Sequence, residues 1–338
     1  MIKKVKCLRW VSKNNLVLDE RMMPKIKEKE ALLKVESCGI CGSDLKILKF
    51  GNKRVKSGQI TGHEIAGKII DINNSKSFQI GDRISLGADI PFEGKNDYAI
   101  GHELEGGFSQ FMVINEHTLN FGPIKKINDL DYDLACMAEP LACCINGFEK
   151  VSFRLYESIL IMGCGPIGLM LAFLAHNNGI KKIYMSDISK TRLDLVKKFD
   201  FITSTNNTKN KSLKVWTSEE TNNNGVDLIF TANNNINSHY DALSIIRNKT
   251  VINFFGGLPS NSPKISISTN QLHYQESILT GSHGSTPSQH SKAVDLIQNN
   301  PDFFKKIISK KYSLEEFKTA FESASSSSNL KVIINPNQ

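Results

Sequence analysis

A short, glycine-punctuated segment carries two thiols, a hydroxyl and a carboxylate. Residues 38–44 read CGICGSD and follow a strand-like run over residues 31–37. Glycines beside cysteines let the backbone turn sharply, so that a thiolate can face a common centre. The C-x-x-C pair of Cys38 and Cys41 is compatible with half of a zinc site, with a redox dithiol, or with one ligand beside a buried bystander.

Further donor groups lie far along the chain from this segment. His63 and Glu64 follow a glycine, and Glu139 precedes Pro140, which we expect to hold a turn stiff. A catalytic zinc needs about three protein ligands and one open position. Spacing alone cannot assemble these groups, because an isolated histidine is usually packed or exposed and an isolated glutamate is usually solvated.

A second motif has the spacing of a phosphate-binding turn. Residues 163–168, GCGPIG, form G-x-G-x-x-G between a buried strand-like run and a helical stretch. The first glycine permits the tight turn, the second lets the backbone approach a pyrophosphate, and the third lets helix and strand pack closely. The pattern predicts a dinucleotide site formed by Gly163, Gly165, Pro166, Ile167 and Gly168.

An acidic residue follows this turn at the spacing of the dinucleotide fingerprint. Asp187 ends the second predicted strand, about 20 residues beyond the turn. A carboxylate there accepts hydrogen bonds from the adenosine ribose and repels a 2′-phosphate, which predicts NAD over NADP. Lys190 and Arg192 lie nearby and can offset that repulsion, and Arg192 is a further cofactor-binding candidate.

The distribution of apolar runs predicts an α/β protein with two domains. Residues 1–146 contain short runs separated by turn signals, which are typical of a small antiparallel barrel. Residues 147–284 alternate strand and helix, which predicts right-handed crossovers and a parallel sheet. Residues 285–338 contain two helical stretches and a closing strand over 331–334, and we assign them to the first domain.

Composition excludes several classes of protein. The chain has 338 residues, a formal net charge of +8 and seven cysteines at irregular spacing, which argues against a disulfide framework. The lysines are scattered among acids, so we expect no nucleic-acid partner. No apolar run is long enough to span a membrane, and the first residues lack the apolar core of a signal peptide, so we expect a cytoplasmic protein.

Taken together, the motifs resemble those of the zinc-dependent medium-chain dehydrogenases, the alcohol dehydrogenase superfamily. The resemblance rests on residues 38–44, the Gly62-His63-Glu64 triplet, the Gly163–Gly168 turn with Asp187, and Glu139-Pro140-Leu141-Ala142. The chain is most similar to the sorbitol, polyol and threonine dehydrogenase branch. The resemblance implies a GroES-like barrel that carries catalysis, around an inserted Rossmann domain that binds NAD.

The resemblance also implies the roles of individual residues. Cys41 and His63 would bind one catalytic zinc, and Glu64 and Glu139 would bind it directly or through water. Ser43 would pass the alcohol proton onward, and Asp44 would orient the metal site. The implied reaction is hydride transfer between NAD and a secondary alcohol of a polyol, sugar or cyclitol, phosphorylated ones included, in a homodimer or homotetramer.

Two departures from the family pattern stand out. Many relatives carry a histidine where this chain has Lys46, so the end of the proton relay is open and Lys46 receives no role. Many relatives also carry a four-cysteine zinc lobe, but residues 89–105 contain no cysteine, which predicts no structural zinc. Alternative readings are a threonine or other amino-alcohol dehydrogenase, and a non-enzymatic NAD-binding protein that kept the fold.

The remaining cysteines and histidines are weaker candidates. We interpret five further cysteines as small buried hydrophobic residues: Cys7, Cys136, Cys143, Cys144 and Cys164. Three histidines are equally compatible with lining the cleft and with ordinary loop positions: His102, His273 and His283.

Overall fold

The computed structural model describes residues 4–74, 77–92, 95–152, 154–259 and 261–338, with backbone alone at residues 95–97. Two of the sequence predictions concern residues outside these ranges. The absence of a signal peptide was expected at residues 1–3, and the absence of a structural zinc was expected in a segment that includes Glu93 and Gly94. Contacts divide the chain into a first unit, Met1–Ala142 with Gly284–Gln338, and a second unit, Cys143–His283. The predicted catalytic and NAD-binding roles of the two segments stay predictions.

The elements alternate along the chain as follows. The strands are β1 Lys4–Ser12, β2 Asn15–Met22, β3 Ala31–Gly39, β4 Gln59–Ile60, β5 Glu64–Ile72, β6 Arg83–Leu86, β7 Asp89–Phe92, β8 Lys95–Ala99, β9 Phe111–Ile114, β10 Ile124–Lys126, β11 Ser158–Met162, β12 Lys182–Asp187, β13 Ser204–Asn207, β14 Leu228–Thr231, β15 Val251–Phe254, β16 Ile278–Gly281, β17 Ile308–Tyr312 and β18 Lys331–Ile334. The helices are α1 Gly42–Phe50, α2 Glu116–Phe121, α3 Tyr132–Ala135, α4 Ala138–Glu149, α5 Pro166–Asn177, α6 Lys190–Val196, α7 Leu213–Glu220, α8 Ile236–Ser244, α9 Thr269–Tyr274, α10 Pro287–Asn299, α11 Pro301–Ile307 and α12 Phe317–Ser325.

The second unit is built on a parallel sheet with the strand order β13-β12-β11-β14-β15-β16. This is the 3-2-1-4-5-6 order of a dinucleotide-binding fold. The central strand β11 is buried along its whole length, since a parallel sheet covered by helices hides both faces of its strands. The predicted α/β fold, with a parallel-sheet domain, is confirmed.

The first unit joins strands from both ends of the chain in one sheet, ordered β10-β6-β5-β3-β18-β17, with β9 also paired to β3. In its middle, Gly39 of β3 lies opposite Glu64 of β5 on one side and opposite Ile333 of β18 on the other. The sheet packs over an apolar core that includes Leu33, Ile65 and Phe108. Three of the candidate metal ligands, Cys41, His63 and Glu64, therefore lie at or next to the ends of strands β3 and β5.

One local prediction is wrong. We interpreted Glu139 and Pro140 as part of a stiff turn, but both lie in the first turn of helix α4. Proline is tolerated there because the first four N–H groups of a helix have no partner within it. The apolar residues that follow therefore continue a helix instead of leaving a loop.

The cysteines and the helix lengths agree with the composition. All seven cysteines fall in the described ranges and none of them forms a disulfide, and Cys143 is only partly buried where full burial was expected. Among the helices that the structure describes, we find none with the length and hydropathy to cross a bilayer.

Candidate metal centre and glycine-rich turn

The start of helix α1 fixes the position of Cys41. Strand β3 ends at Gly39, and Cys41 is the residue that caps α1 with extended backbone angles. Its N–H donates to the Asp44 carboxylate at 2.9 Å, and the Ile40 N–H donates to the Val332 carbonyl at 2.9 Å. An otherwise unpaired helix-terminal N–H is thereby satisfied, and the thiol is held on a short, ordered connection.

His63 is held by a glycine and by a carboxylate. Gly62 has φ of +90°, and a Cβ there would come within 2.8 Å of Cys38 Sγ, so no other residue fits. His63 Nδ1 lies 3.6 Å from Asp44 Oδ1, and Nε2 lies 3.3 Å from Ser43 Oγ. The carboxylate therefore lies beside one ring nitrogen, slightly beyond hydrogen-bond distance, and the Ser43 hydroxyl lies beside the other nitrogen.

The structure brings three of the four predicted ligands together. Donor atoms of Cys41, His63 and Glu64 all lie within 4.8 Å of one another. Burial lowers the pKa of His63, but Asp44 and Cys41 raise it well above its usual value. Negative groups around a buried imidazole favour a cation, and a set of sulfur, nitrogen and oxygen donors suits zinc. The residues present fit a zinc ion, which Cys41 and His63 would hold.

The Glu64 carboxylate of this cluster is paired with Lys331, a residue that the sequence analysis did not identify. Lys331 Nζ lies 2.7 Å from both carboxylate oxygens of Glu64, and the two side chains are 4% and 0% exposed. Burial lowers the pKa of Lys331, but Glu64 and Cys41 raise it above the usual value, so the ammonium stays charged. The available signal was a lysine in an apolar closing strand, since such residues are rarely buried unpaired.

The Glu64 carboxylate lies directly over Gly39 of β3. A Cβ added at Gly39 would lie 2.0 Å from Glu64 Oε2. The absence of a side chain at Gly39 therefore makes room for the carboxylate between the strand and Lys331.

The fourth predicted ligand, Glu139, lies outside the group of three donors. It is 5% exposed on α4. Burial raises its pKa to about 7, with further contributions from His63, which lowers it, and from Glu64, which raises it. Glu139 is thus within electrostatic reach of the cluster, and its role as a ligand stays a prediction.

His102 is the one of the three weaker histidine candidates that lies beside the described cluster. Its ring centroid is 6.0 Å from that of His63, and its Nδ1 is buried without a hydrogen-bond partner among the described residues. Gly101, with φ of +77°, lets this segment approach the backbone of Gly62. His273 and His283 belong to the second unit.

The glycine-rich turn of the second unit has the geometry that its sequence predicts. Gly163 has φ of +123°, and a Cβ there would lie 2.7 Å from the Ala232 carbonyl. A Cβ at Gly168 would lie 1.8 Å from the Gly163 carbonyl, so the helix can approach the strand only with glycine there. Pro166 opens helix α5, whose N-terminal N–H groups favour an anion.

Two charged residues flank this turn. Asp187 accepts hydrogen bonds from the N–H groups of Cys164 and Ser189, each at 2.8 Å. The Arg192 guanidinium lies close to Gly165, because a Cβ at Gly165 would be 2.6 Å from Arg192 Nη1. The carboxylate at the end of β12 therefore ties the turn together, and a cation lies over its middle glycine.

Models of two dehydrogenase domains match the chain. The alcohol dehydrogenase GroES-like domain matches residues 27–123, and the zinc-binding dehydrogenase domain matches residues 166–299. D-arabitol-phosphate dehydrogenase of Enterococcus avium is 29% identical over 332 residues, which cover 93% of this chain and 92% of that protein. L-threonine 3-dehydrogenase of Pseudoalteromonas translucida is 26% identical over 330 residues, covering 92% and 94%.

Solved structures share the fold. An alcohol dehydrogenase of Thermotoga maritima superposes with a TM-score of 0.90 at 22% identity, covering 99% of this chain and 100% of its own. At this identity the likeness supports the architecture of both units and not the choice of substrate.

Glu139 gives the metal-free protein a defined pH dependence. Its folded pKa of about 7 lies above the ordinary 4.5, so its contribution to stability is present at low pH and is lost as pH rises through 7. The loss is about 3 kcal/mol in the free energy of unfolding. Glu139→Gln should match the wild type in urea unfolding at about pH 4 and exceed it by about that amount at pH 8.

Glu103→Gln is the matched control. Burial raises the pKa of Glu103, but hydrogen bonds from Arg54 and Ala99 lower it below the usual value. That variant should therefore lose stability relative to the wild type as pH rises. Identical pH profiles for wild type and Glu139→Gln would contradict the assignment.

Proposed function

The chain belongs to the zinc-dependent medium-chain alcohol dehydrogenase superfamily, and we propose that it oxidises a secondary alcohol of a polyol, sugar or cyclitol with NAD. The carrying observation is the donor cluster of Cys41, His63 and Glu64 with a hydroxyl beside it. Ser43 Oγ lies 3.3 Å from His63 Nε2. A metal-binding set next to a proton-carrying group is what alcohol oxidation requires.

Each residue has a part in this chemistry. A zinc ion, when bound, polarises the substrate hydroxyl and stabilises its negative charge. Cys41 and His63 would hold the ion with a carboxylate from Glu64 or Glu139, and Asp44 would orient His63. Ser43 would take up the hydroxyl proton while passing its own proton onward, so that a bound NAD could accept the hydride of the carbinol carbon and a ketone would remain.

The proposed cofactor site lies at the glycine-rich turn of the second unit. Pyrophosphate binds at Gly163, Gly165, Pro166, Ile167 and Gly168. Asp187 accepts from the adenosine ribose and disfavours NADP, while Arg192 adds positive charge near the turn. We also propose a single zinc per chain, because residues 89–105 contain no cysteine.

The substrate class rests on a relative and on one side chain. The similar Enterococcus avium protein is named for a phosphorylated polyol. His102, which lies beside His63 and has an unused nitrogen, can form a hydrogen bond with a second hydroxyl of such a substrate.

Threonine or another amino alcohol is the second candidate substrate, since other relatives are named threonine dehydrogenases. A non-enzymatic NAD-binding role is disfavoured by the intact donor cluster.

We further propose a cytoplasmic homo-oligomer, either a dimer or a tetramer. Free cysteines fit a reducing compartment. Strand β16 ends its sheet, and Ile278 on it and nearby Tyr274 are 43% and 77% exposed. A sheet edge with exposed apolar residues favours pairing with another copy.

Light scattering should give a multimer for the wild type and a smaller species for Ile278→Lys. A monomeric wild type would contradict this.

Removing the thiolate tests the proposed reaction. Cys41→Ser should lower alcohol-dependent NADH production more than about 100-fold, because a thiolate ligand is lost. Zinc content should fall from about one per chain, whereas the NAD dissociation constant should stay within about twofold because the turn is a separate site. Cys7→Ala, which changes a buried cysteine outside the donor cluster, is the control. Unchanged turnover in Cys41→Ser would refute the proposal.

His102 should matter for polyols and not for simple alcohols. His102→Phe keeps an aromatic ring and removes the hydrogen bond. We expect kcat/KM for a vicinal diol to fall about tenfold and kcat/KM for a secondary alcohol with one hydroxyl to change little. His102→Gln, which keeps a donor and an acceptor, should retain most of the diol activity. Equal losses on both substrates would show that His102 only packs.

A further inference from the structure

We propose that Lys331 is a positioning residue that competes with the bound metal for the Glu64 carboxylate. It thereby sets how strongly Glu64 can act as a ligand. The inference deepens the proposed zinc site and rests on it. It assigns a function to a side chain on the last strand, 267 residues from its partner.

The described contacts of the Lys331 ammonium group are all with buried oxygen atoms of the protein. It lies 2.7 Å from each oxygen of Glu64 and 3.4 Å from the Ile40 carbonyl oxygen. Both side chains are almost fully buried. Water therefore cannot screen this pair as it would a surface salt bridge, and each partner depends on the other for its charge.

The same carboxylate also faces the metal ligands. An oxygen of Glu64 lies within 4.8 Å of donor atoms on Cys41 and His63. A metal ion held by those two residues and the Lys331 ammonium would draw on one carboxylate from two sides. Sharing its charge between two cations weakens its attraction to each of them.

The strand pairing of the sheet positions Lys331 and Glu64 next to each other. Glu64 and Ile333 are the partners of Gly39 on its two sides, and Lys331 is two residues before Ile333, on the same face of β18. The empty side-chain position at Gly39 confines the carboxylate next to the strand. The paired strands therefore carry the two charged side chains side by side on one face of the sheet.

A weakly held Glu64 has a use in alcohol oxidation. A catalytic zinc must keep one position open for the substrate oxygen. Glu139 lies within electrostatic reach of both Glu64 and Lys331, so a second carboxylate is at hand. By drawing Glu64 toward itself, Lys331 leaves the metal with a stronger positive charge toward the substrate.

Zinc affinity tests this without reference to turnover. Zinc competition with a chromophoric chelator is measured for the wild type, Lys331→Gln, Glu64→Gln and the double variant. Lys331→Gln removes the charge but keeps a hydrogen-bond donor for the buried carboxylate. It should tighten zinc binding about tenfold or more, because Glu64 is then free to bind the metal.

The Glu64→Gln background gives the control. With no carboxylate to compete for, the same lysine substitution should change zinc affinity by less than about twofold. Lys331→Arg keeps the charge and should stay close to the wild type. Weaker or unchanged zinc binding in Lys331→Gln, or an equal change in both backgrounds, would overturn the inference. Wild-type protein that binds no zinc would instead overturn the proposed function, and this inference with it.

A measurement on the unmodified protein covers the case in which Lys331→Gln does not fold. NMR spectroscopy of protein labelled with nitrogen-15 at its lysines detects the Lys331 ammonium group. Its signal is assigned as the one that is absent from the spectrum of Lys331→Arg. Zinc should shift this signal, because the metal draws charge from the carboxylate that the ammonium binds. A signal that does not respond to zinc would overturn the inference.

Discussion

The buried ion pair between Lys331 and Glu64 is the constraint on which the first unit depends. A carboxylate at 0% exposure is tolerable only beside a fixed positive charge, and that charge arrives on the closing strand. Removing one partner of such a pair typically costs about 3–5 kcal/mol. The charge balance of the metal-binding segment therefore depends on the pairing of β18 with β3.

The same pair organises the electrostatics of the site. Asp44, Cys41 and Glu64 place acidic groups around one imidazole, and the described cluster holds a single lysine against them. This excess of negative groups draws a divalent cation and explains why burial does not neutralise the histidine. In the second unit, the N-terminus of α5 and the Arg192 guanidinium place positive charge at the glycine-rich turn, where we propose that the phosphates of a dinucleotide bind.

Sequence and structure agree where chemistry is local. The turn at Gly163 and the Cys41–Asp44 segment could be predicted, because backbone conformation and short spacing dictate their contacts. The partner of Lys331 could not be predicted, since it is set by the order of strands in a sheet and not by spacing. Helix α4 was missed because proline before an apolar run fits a turn as well as a first helical turn. The position of Glu139 outside the group of Cys41, His63 and Glu64 was therefore also beyond sequence reasoning.

The central claim is that Cys41 and His63 hold a zinc ion at the cluster. Anomalous diffraction at the zinc absorption edge, from crystals grown with zinc and NAD, tests it most directly. The account predicts one strong peak per chain at about 2.3 Å from Cys41 Sγ and about 2.0 Å from His63 Nε2. A zinc-loaded crystal with no peak at this cluster, or with its zinc bound elsewhere, would contradict it.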